Sequence, residues 1–195
     1  KNMKQIKFGI AGYGKMGKIR EESILNSSNA KLMSIYEVSD YSHNDKSTVQ
    51  CNSFDELLKT DIDAVIVSAY VSVAADYAIR ALNSGKHVFC EKPPSMTFKE
   101  MQEIIKAEKK ANKVLKYGFN HRFHHSVMEA KKVIDSGDLG KILWMRGVYG
   151  KAGSIDFNDN WRNYKNYSGG GILMDQGIHM LDLFRYFSDS EFRCL

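Results

Sequence analysis

Proline is almost absent. The only two, Pro93 and Pro94, are adjacent in a chain of 195 residues. Proline-rich linkers are thereby excluded, and one place is marked where the chain must stop and turn. Cysteine is also scarce. Cys51, Cys90 and Cys194 are widely separated and odd in number, which argues for reduced thiols over a disulfide framework. No apolar run approaches the roughly 20 residues that cross a bilayer. The Ile6–Ala11 run is too short for the apolar region of an export signal. A cytoplasmic protein away from membranes is therefore expected. The net charge of +5 is scattered, with only short pairs such as Lys109-Lys110 and Lys131-Lys132, so no nucleic-acid partner is expected. Repeats and low-complexity stretches are missing. With 43% hydrophobic and 26% charged residues, the composition is that of a folded globular protein.

The chain does contain a regular alternation of short β-rich runs and helical patterns. Ile6–Ala11, Leu32–Tyr36, Thr48–Cys51, Ala64–Val67, His87–Cys90 and Val114–Phe119 read as strands. Between them run a helix through Ile19 and Ile24, a short one capped by Ser53 and Glu56, and one ending near Asn83 with Gly85 as its cap. A fourth helix opens on the Thr97–Glu100 capping box and carries Met101, Ile104, Ile105 and Ala111 on one face. Such alternation gives right-handed βαβ units and a parallel sheet covered on both faces. Residues 1–120 are read as this α/β domain. From residue 121 the pattern changes. Val127, Ala130, Val133 and Ile134 suit a helix that Gly137 ends, and Ile142–Tyr149 reads as a strand. A polar, aromatic loop then covers Gly150–Ser168, and a final helix begins near Gly171. Residues 121–195 are read as the start of a second domain.

The first chemical signal is Gly12-Tyr13-Gly14-Lys15-Met16-Gly17, between the first strand and the first helix. The first glycine permits a tight turn, the second lets a pyrophosphate reach the backbone, and the third lets helix and strand pack closely. A tight turn without a ligand would use the same residues, so context must decide. Glu37 lies 20 residues beyond Gly17 at the end of the second strand, where a carboxylate can accept from both ribose hydroxyls. It would repel a 2′-phosphate, and no Lys or Arg follows until Lys46, so NAD is favoured over NADP. Glu91-Lys92-Pro93-Pro94 follows a strand at the sheet edge where such folds bind ligands. There Lys92 is either a cation for a substrate oxygen or an ordinary surface lysine. On a helix from Gly171, Asp175 and His179 are four residues apart and share a face. A neutral imidazole there can take a hydroxyl proton while the carboxylate orients it or the substrate. A buried structural histidine is the plainer reading of the same pair.

Gly12-x-Gly14-x-x-Gly17, Glu91-Lys92-Pro93, Asn120-x-Arg122, Trp161-Arg162 and the Gly169–Asp182 block occur in the order that resembles the Gfo/Idh/MocA oxidoreductase family. The resemblance runs to about Phe187. It implies a Rossmann-type doubly wound parallel sheet followed by an α+β C-terminal domain. It also implies an NAD(P)-dependent enzyme acting on a hydroxyl of a sugar, cyclitol or sugar nucleotide, and a homo-oligomer for the full-length protein. By the same resemblance Lys92, Asp175 and His179 are catalytic. Glu91, Asn120, Trp161 and Arg162 lie near the nicotinamide end of the cofactor, and Ser68-Ala69-Tyr70 faces the dinucleotide. Two departures stand out. That turn commonly reads Thr-Pro with a histidine a few residues on, where this chain has Ala69-Tyr70 and Ala74. The chain also stops at Leu195, soon after the catalytic-type helix, so an incomplete C-terminal domain is expected. A redox-neutral NAD-using glycosidase and a silent dinucleotide- or sugar-binding protein are the alternatives within this resemblance. His121, His124 and His125 invite a metal, but no cysteine or carboxylate cluster accompanies them and no metal is expected.

Overall fold

A computed structural model describes residues 5–150 and 161–193. The chain divides into two compact units, Lys1–Gly118 and Phe119–Leu195.

The first unit is built on six strands: β1 (Ile6–Ala11), β2 (Ala30–Tyr36), β3 (Val49–Cys51), β4 (Ala64–Val67), β5 (His87–Cys90) and β6 (Leu115–Tyr117). They form one sheet in the order β3-β2-β1-β4-β5-β6, with every pairing parallel. Strand order therefore reverses between β1 and β4, and the crevice at that switch point is where open α/β sheets take ligands. Four helices connect the strands: α1 (Lys15–Leu25), α2 (Phe54–Lys59), α3 (Val71–Asn83) and α4 (Phe98–Ala111). This is the parallel sheet that the alternation implies, in the Rossmann-type doubly wound order that the resemblance implies.

Both faces of the sheet are apolar because successive strand side chains point to opposite sides. Ala11, Val65, Val67, Val88 and Cys90 join Leu57 of α2, Ala78, Ala81 and Leu82 of α3 and Ala107 of α4 in one cluster. Ile10, Leu32, Ile35 and Ile66 face the other way, where Tyr13 of the glycine turn and Ile24 of α1 meet them. The local signals hold at the helix ends. Thr97 and Glu100 form a reciprocal capping box on α4. Gly85 stands at φ +75° just beyond α3. Ser53 accepts from the Glu56 amide as a cap, but the Glu56 carboxylate reaches Asn52.

The second unit differs from its sequence reading in three places. α5 (His125–Asp135) forms and ends at Gly137, φ +81°, as expected. Ile142–Tyr149, expected as a strand, has no ladder partner, and this unit contains no strand among its described residues. Strand-forming residue types describe a side chain's fit to a pleated neighbour, and without one the backbone has nothing to pair with. Of the expected Gly150–Ser168 loop, residues 151–160 lie outside the described residues. Its end folds into a 3-10 turn at Trp161–Asn163 and a short helix, α6 (Lys165–Ser168). The final helix begins near Gly171 but is interrupted. Leu173–Gly177 is a π turn, and only then does α7 (Ile178–Ser188) run regularly.

Candidate active site

The glycine turn lies at the switch point, and each of its glycines meets a different physical demand. Gly12 has φ +91°, and a Cβ there would come within 2.5 Å of the Ala69 amide nitrogen. A Cβ at Gly17 would come within 2.3 Å of the Gly12 carbonyl oxygen, so α1 can approach β1 only because Gly17 lacks one. At Gly14 a Cβ would meet nothing within 4 Å. Gly14 caps α1, whose first-turn N–H groups have no intrahelical acceptor. Open space over free donors at a helix start fits an anionic phosphate, and Lys15 and Met16 stand in that first turn.

Glu37, at the end of β2, is held by three backbone donors. Its Oε2 accepts from the Tyr13 N–H at 2.6 Å, and its Oε1 accepts from Val38 and Ser39 at 2.8 and 3.1 Å. Three N–H donors therefore fix this carboxylate in place next to the glycine turn. The Tyr13 ring is buried in the core, and its hydroxyl donates to Glu21, whose other oxygen meets His43 Nε2 at 2.6 Å. Burial, followed by the Glu21 contact, pushes the Tyr13 phenol above its ordinary range. Tyr13 thus offers the site its backbone while its ring anchors the turn. Ser68 serves the same end, since its hydroxyl donates to the Gly12 carbonyl at 2.6 Å. Ala69 crowds Gly12 from the adjoining turn, and Tyr70 caps α3.

At the end of β5, the Glu91 carboxylate pairs with Arg20 of α1 through Nη2 at 2.5 Å and Nε at 2.8 Å. Arg20 also lies 4.8 Å from the Phe89 ring centre, and a Cβ at Gly118 would strike the same carboxylate at 2.7 Å. Lys92 follows, half-buried, and joins Pro93 through a cis peptide bond. The sequence reading missed Arg20. The signal available was its register, one turn beyond Gly17 on a helix pinned to β1.

In the second unit, Asp175 stands in the π turn and His179 on the first turn of α7. π turns inside helices are frequent at functional sites. Asp175 accepts from the Gln176 amide at 2.8 Å and lies 3.6 Å from Arg162 Nε. Arg162 in turn stacks over Trp161, 4.5 Å from its ring centre. Trp161, Arg162 and Asp175, expected separately as nicotinamide-side and substrate-side residues, are therefore close together. Asn120 is exposed in a 3-10 turn spanning Asn120–Phe123. Arg122 of that turn makes a two-pronged contact with Asp182 of α7 at 2.5 and 2.8 Å, with Asp182 only 5% exposed. His179 is 3% exposed, and its ring is stacked on that of His121. Sequence reasoning paired neither couple, because their members lie about sixty residues apart. Lys92 belongs to the first unit, Asp175 and His179 to the second.

Residues 6–119 match the Gfo/Idh/MocA pattern described as an oxidoreductase family with an NAD-binding Rossmann fold, and residues 127–194 match a Gfo/Idh/MocA C-terminal domain. This chain belongs to the Gfo/Idh/MocA oxidoreductase family. Similar proteins include a levoglucosan dehydrogenase of Pseudarthrobacter phenanthrenivorans, 38% identical over 65% of this chain and 33% of its own length. A myo-inositol 2-dehydrogenase of Thermotoga maritima is 30% identical over 95% of this chain and 56% of its own. Among solved structures, a scyllo-inositol dehydrogenase of Lactobacillus casei with bound NAD(H) and scyllo-inositol superposes with a TM-score of 0.83. It is 28% identical, with 96% of this chain and 57% of that one covered. The chain thus spans little more than half the length of relatives that it matches from end to end. Among the described residues, no helix is long and apolar enough to cross a membrane.

Proposed function

We propose that this Gfo/Idh/MocA chain carries the cofactor- and hydroxyl-handling residues of an NAD-dependent dehydrogenase for a sugar, cyclitol or sugar nucleotide. The whole protein would act in the cytoplasm as a homo-oligomer. The observation that carries the reading is the pairing of open space at Gly14 with a carboxylate, Glu37, fixed beside it by three backbone donors. The inositol- and sugar-dehydrogenase names of the relatives support the substrate class.

In this reading the turn of Gly12, Tyr13, Gly14, Lys15, Met16 and Gly17 receives the pyrophosphate on its N–H groups from Gly14 onward, because those of Gly12 and Tyr13 already donate to the Tyr36 carbonyl and to Glu37. Glu37 accepts from the ribose hydroxyls and opposes a 2′-phosphate by charge. Ser68, Ala69 and Tyr70 border the dinucleotide, and Glu91, Asn120, Trp161 and Arg162 stand at its nicotinamide end. Bound NAD supplies the hydride acceptor. His179 takes the proton from the substrate hydroxyl, Asp175 orients the hydroxyl or the imidazole, and Lys92 donates to the oxygen as its charge grows.

Fluorescence titration tests the cofactor half. NADH should bind at least about tenfold more tightly than NADPH, and Glu37→Ala should narrow that gap. Equal affinity for both would overturn the role of Glu37. Screening inositols and nucleotide sugars with the full-length enzyme tests the rest. Net NADH formation, abolished by His179→Ala with NAD affinity kept, is expected. Turnover without net NADH would mean redox-neutral bond cleavage instead.

A further inference from the structure

His179 and His121 lie face to face. Their ring centres are 3.8 Å apart and the planes differ by 15°. His121 also stacks on Tyr149 at 5.6 Å and 13°. Phe119 closes the His179 side edge-on at 6.2 Å, and His124 meets His121 at right angles at 5.2 Å. We propose that His121 is a positioning residue for His179, fixing the plane of its imidazole and keeping it uncharged by presenting a second, stacked imidazole. This rests on the reading of His179 as the base.

The physical reason is that a stacked pair of imidazoles can hold one positive charge readily and two only against direct repulsion. His179 is 3% exposed, whereas His121 is half-buried, so water stabilises a proton on His121 better. As pH falls His121 therefore takes the proton first, and His179 stays neutral to lower pH than it would alone. Among the described residues, the carboxylates on the elements that carry the pair each have a guanidinium beside them. Asp182, on the same helix as His179, is held by both prongs of Arg122 from the His121 turn. Asp175, on the preceding π turn, has Arg162 at 3.6 Å. Both carboxylates would otherwise favour a charged His179, but each already faces a guanidinium. His124 meets His121 and adds a further cation when protonated, and Tyr149 contributes a phenol.

Histidine NMR on this chain tests the proposal without requiring turnover. His121→Phe keeps the stack and removes its charge. The His179 ring should then titrate about one pH unit higher than in the unaltered chain, with an undisturbed backbone spectrum. His121→Ala removes the stack as well, and the His179 ring signals should show rotamer averaging. Identical His179 titration in the unaltered and His121→Phe chains would overturn the proposal, whatever the enzyme does. In the full-length enzyme the acidic limb of kcat should move up by the same interval with Phe, with KM little changed. Alanine should lose about tenfold in kcat at alkaline pH while Phe retains it. If the NMR shift appears and the kinetic limb does not follow, the stack stands and the assignment of His179 as the base fails instead.

Discussion

The two units make opposite use of their apolar residues. In the first, strands and helices close on one another until Ile10, Ala11, Ile35, Leu57, Val65 and Ala78 are fully out of water. In the second, Leu183 is the single hydrophobic residue classed as buried among the described residues, while Leu143, Trp144, Val148, Ile172 and Leu173 are largely exposed. Yet α5 has the same helical periodicity as α4, with Val127, Ala130, Val133 and Ile134 on one side. The contrast shows that periodicity supplies a helix with an apolar face, whereas stability comes from a second layer to bury that face against. Among its described residues, what the second unit does bury is mostly polar: Ser168, His179 and Asp182. Partners within the unit offset the cost of burying Ser168, which donates to the Tyr164 and Gly170 carbonyls, and Asp182, which accepts from Arg122.

The largest test of this contrast is a pair of truncations. Ile10→Ala should destabilise the protein by about 3–4 kcal/mol through lost burial and the cavity left behind. Trp144→Ala, at a side chain 75% exposed, should stay within about 0.5 kcal/mol. Denaturant unfolding of both variants measures the difference, and similar losses at the two sites would erase the contrast. A second pair works inside the first unit. Gly12→Ala places a methyl 2.5 Å from backbone at a positive φ and should unfold the turn, losing stability and NADH binding together. Gly14→Ala, with open space around it, should fold normally by circular dichroism and thermal melting while NADH affinity falls by about tenfold or more. Intact binding in Gly14→Ala would mean that nothing approaches the turn there. The smallest effect concerns thiols of the closed core. Burial pushes Cys51 up to about 11 and Cys90 higher still. Both stay protonated at pH 8, where a thiolate is needed for alkylation. With Cys194 replaced by Ser, iodoacetamide should label neither in the folded protein, and both on denaturation. Rapid native labelling would show that the first unit opens more easily than its packing implies.

Much of this was legible in the sequence, and for identifiable reasons. The strands β1, β4 and β5 are short apolar runs bounded by turns, and the capping pairs Ser53–Glu56 and Thr97–Glu100 mark helix starts by local hydrogen bonding alone. The glycine spacing was legible because the turn is built from residues next to one another in the chain, and Glu37 from its place at the end of β2. Other features were not legible. Arg20 with Glu91, Arg122 with Asp182 and His121 with His179 are contacts between distant segments, and no local pattern encodes which side chains will meet. The Ile142–Tyr149 run shows the converse, since its residue types suit a strand but pairing needs a partner.

In the first unit, sequence alone determined which runs become helices and strands, the parallel sheet they build, and the residue types at the glycine turn, because those follow from short-range sterics, capping and periodic burial. Only the tertiary structure decided that Tyr13 turns its ring inward while its amide grips Glu37. It also decided that the Leu173–Gly177 segment opens into a π turn, and that one imidazole lies flat on another. Those outcomes depend on which distant groups compete for the same space and the same hydrogen bonds, and that competition is settled only when the chain has closed on itself.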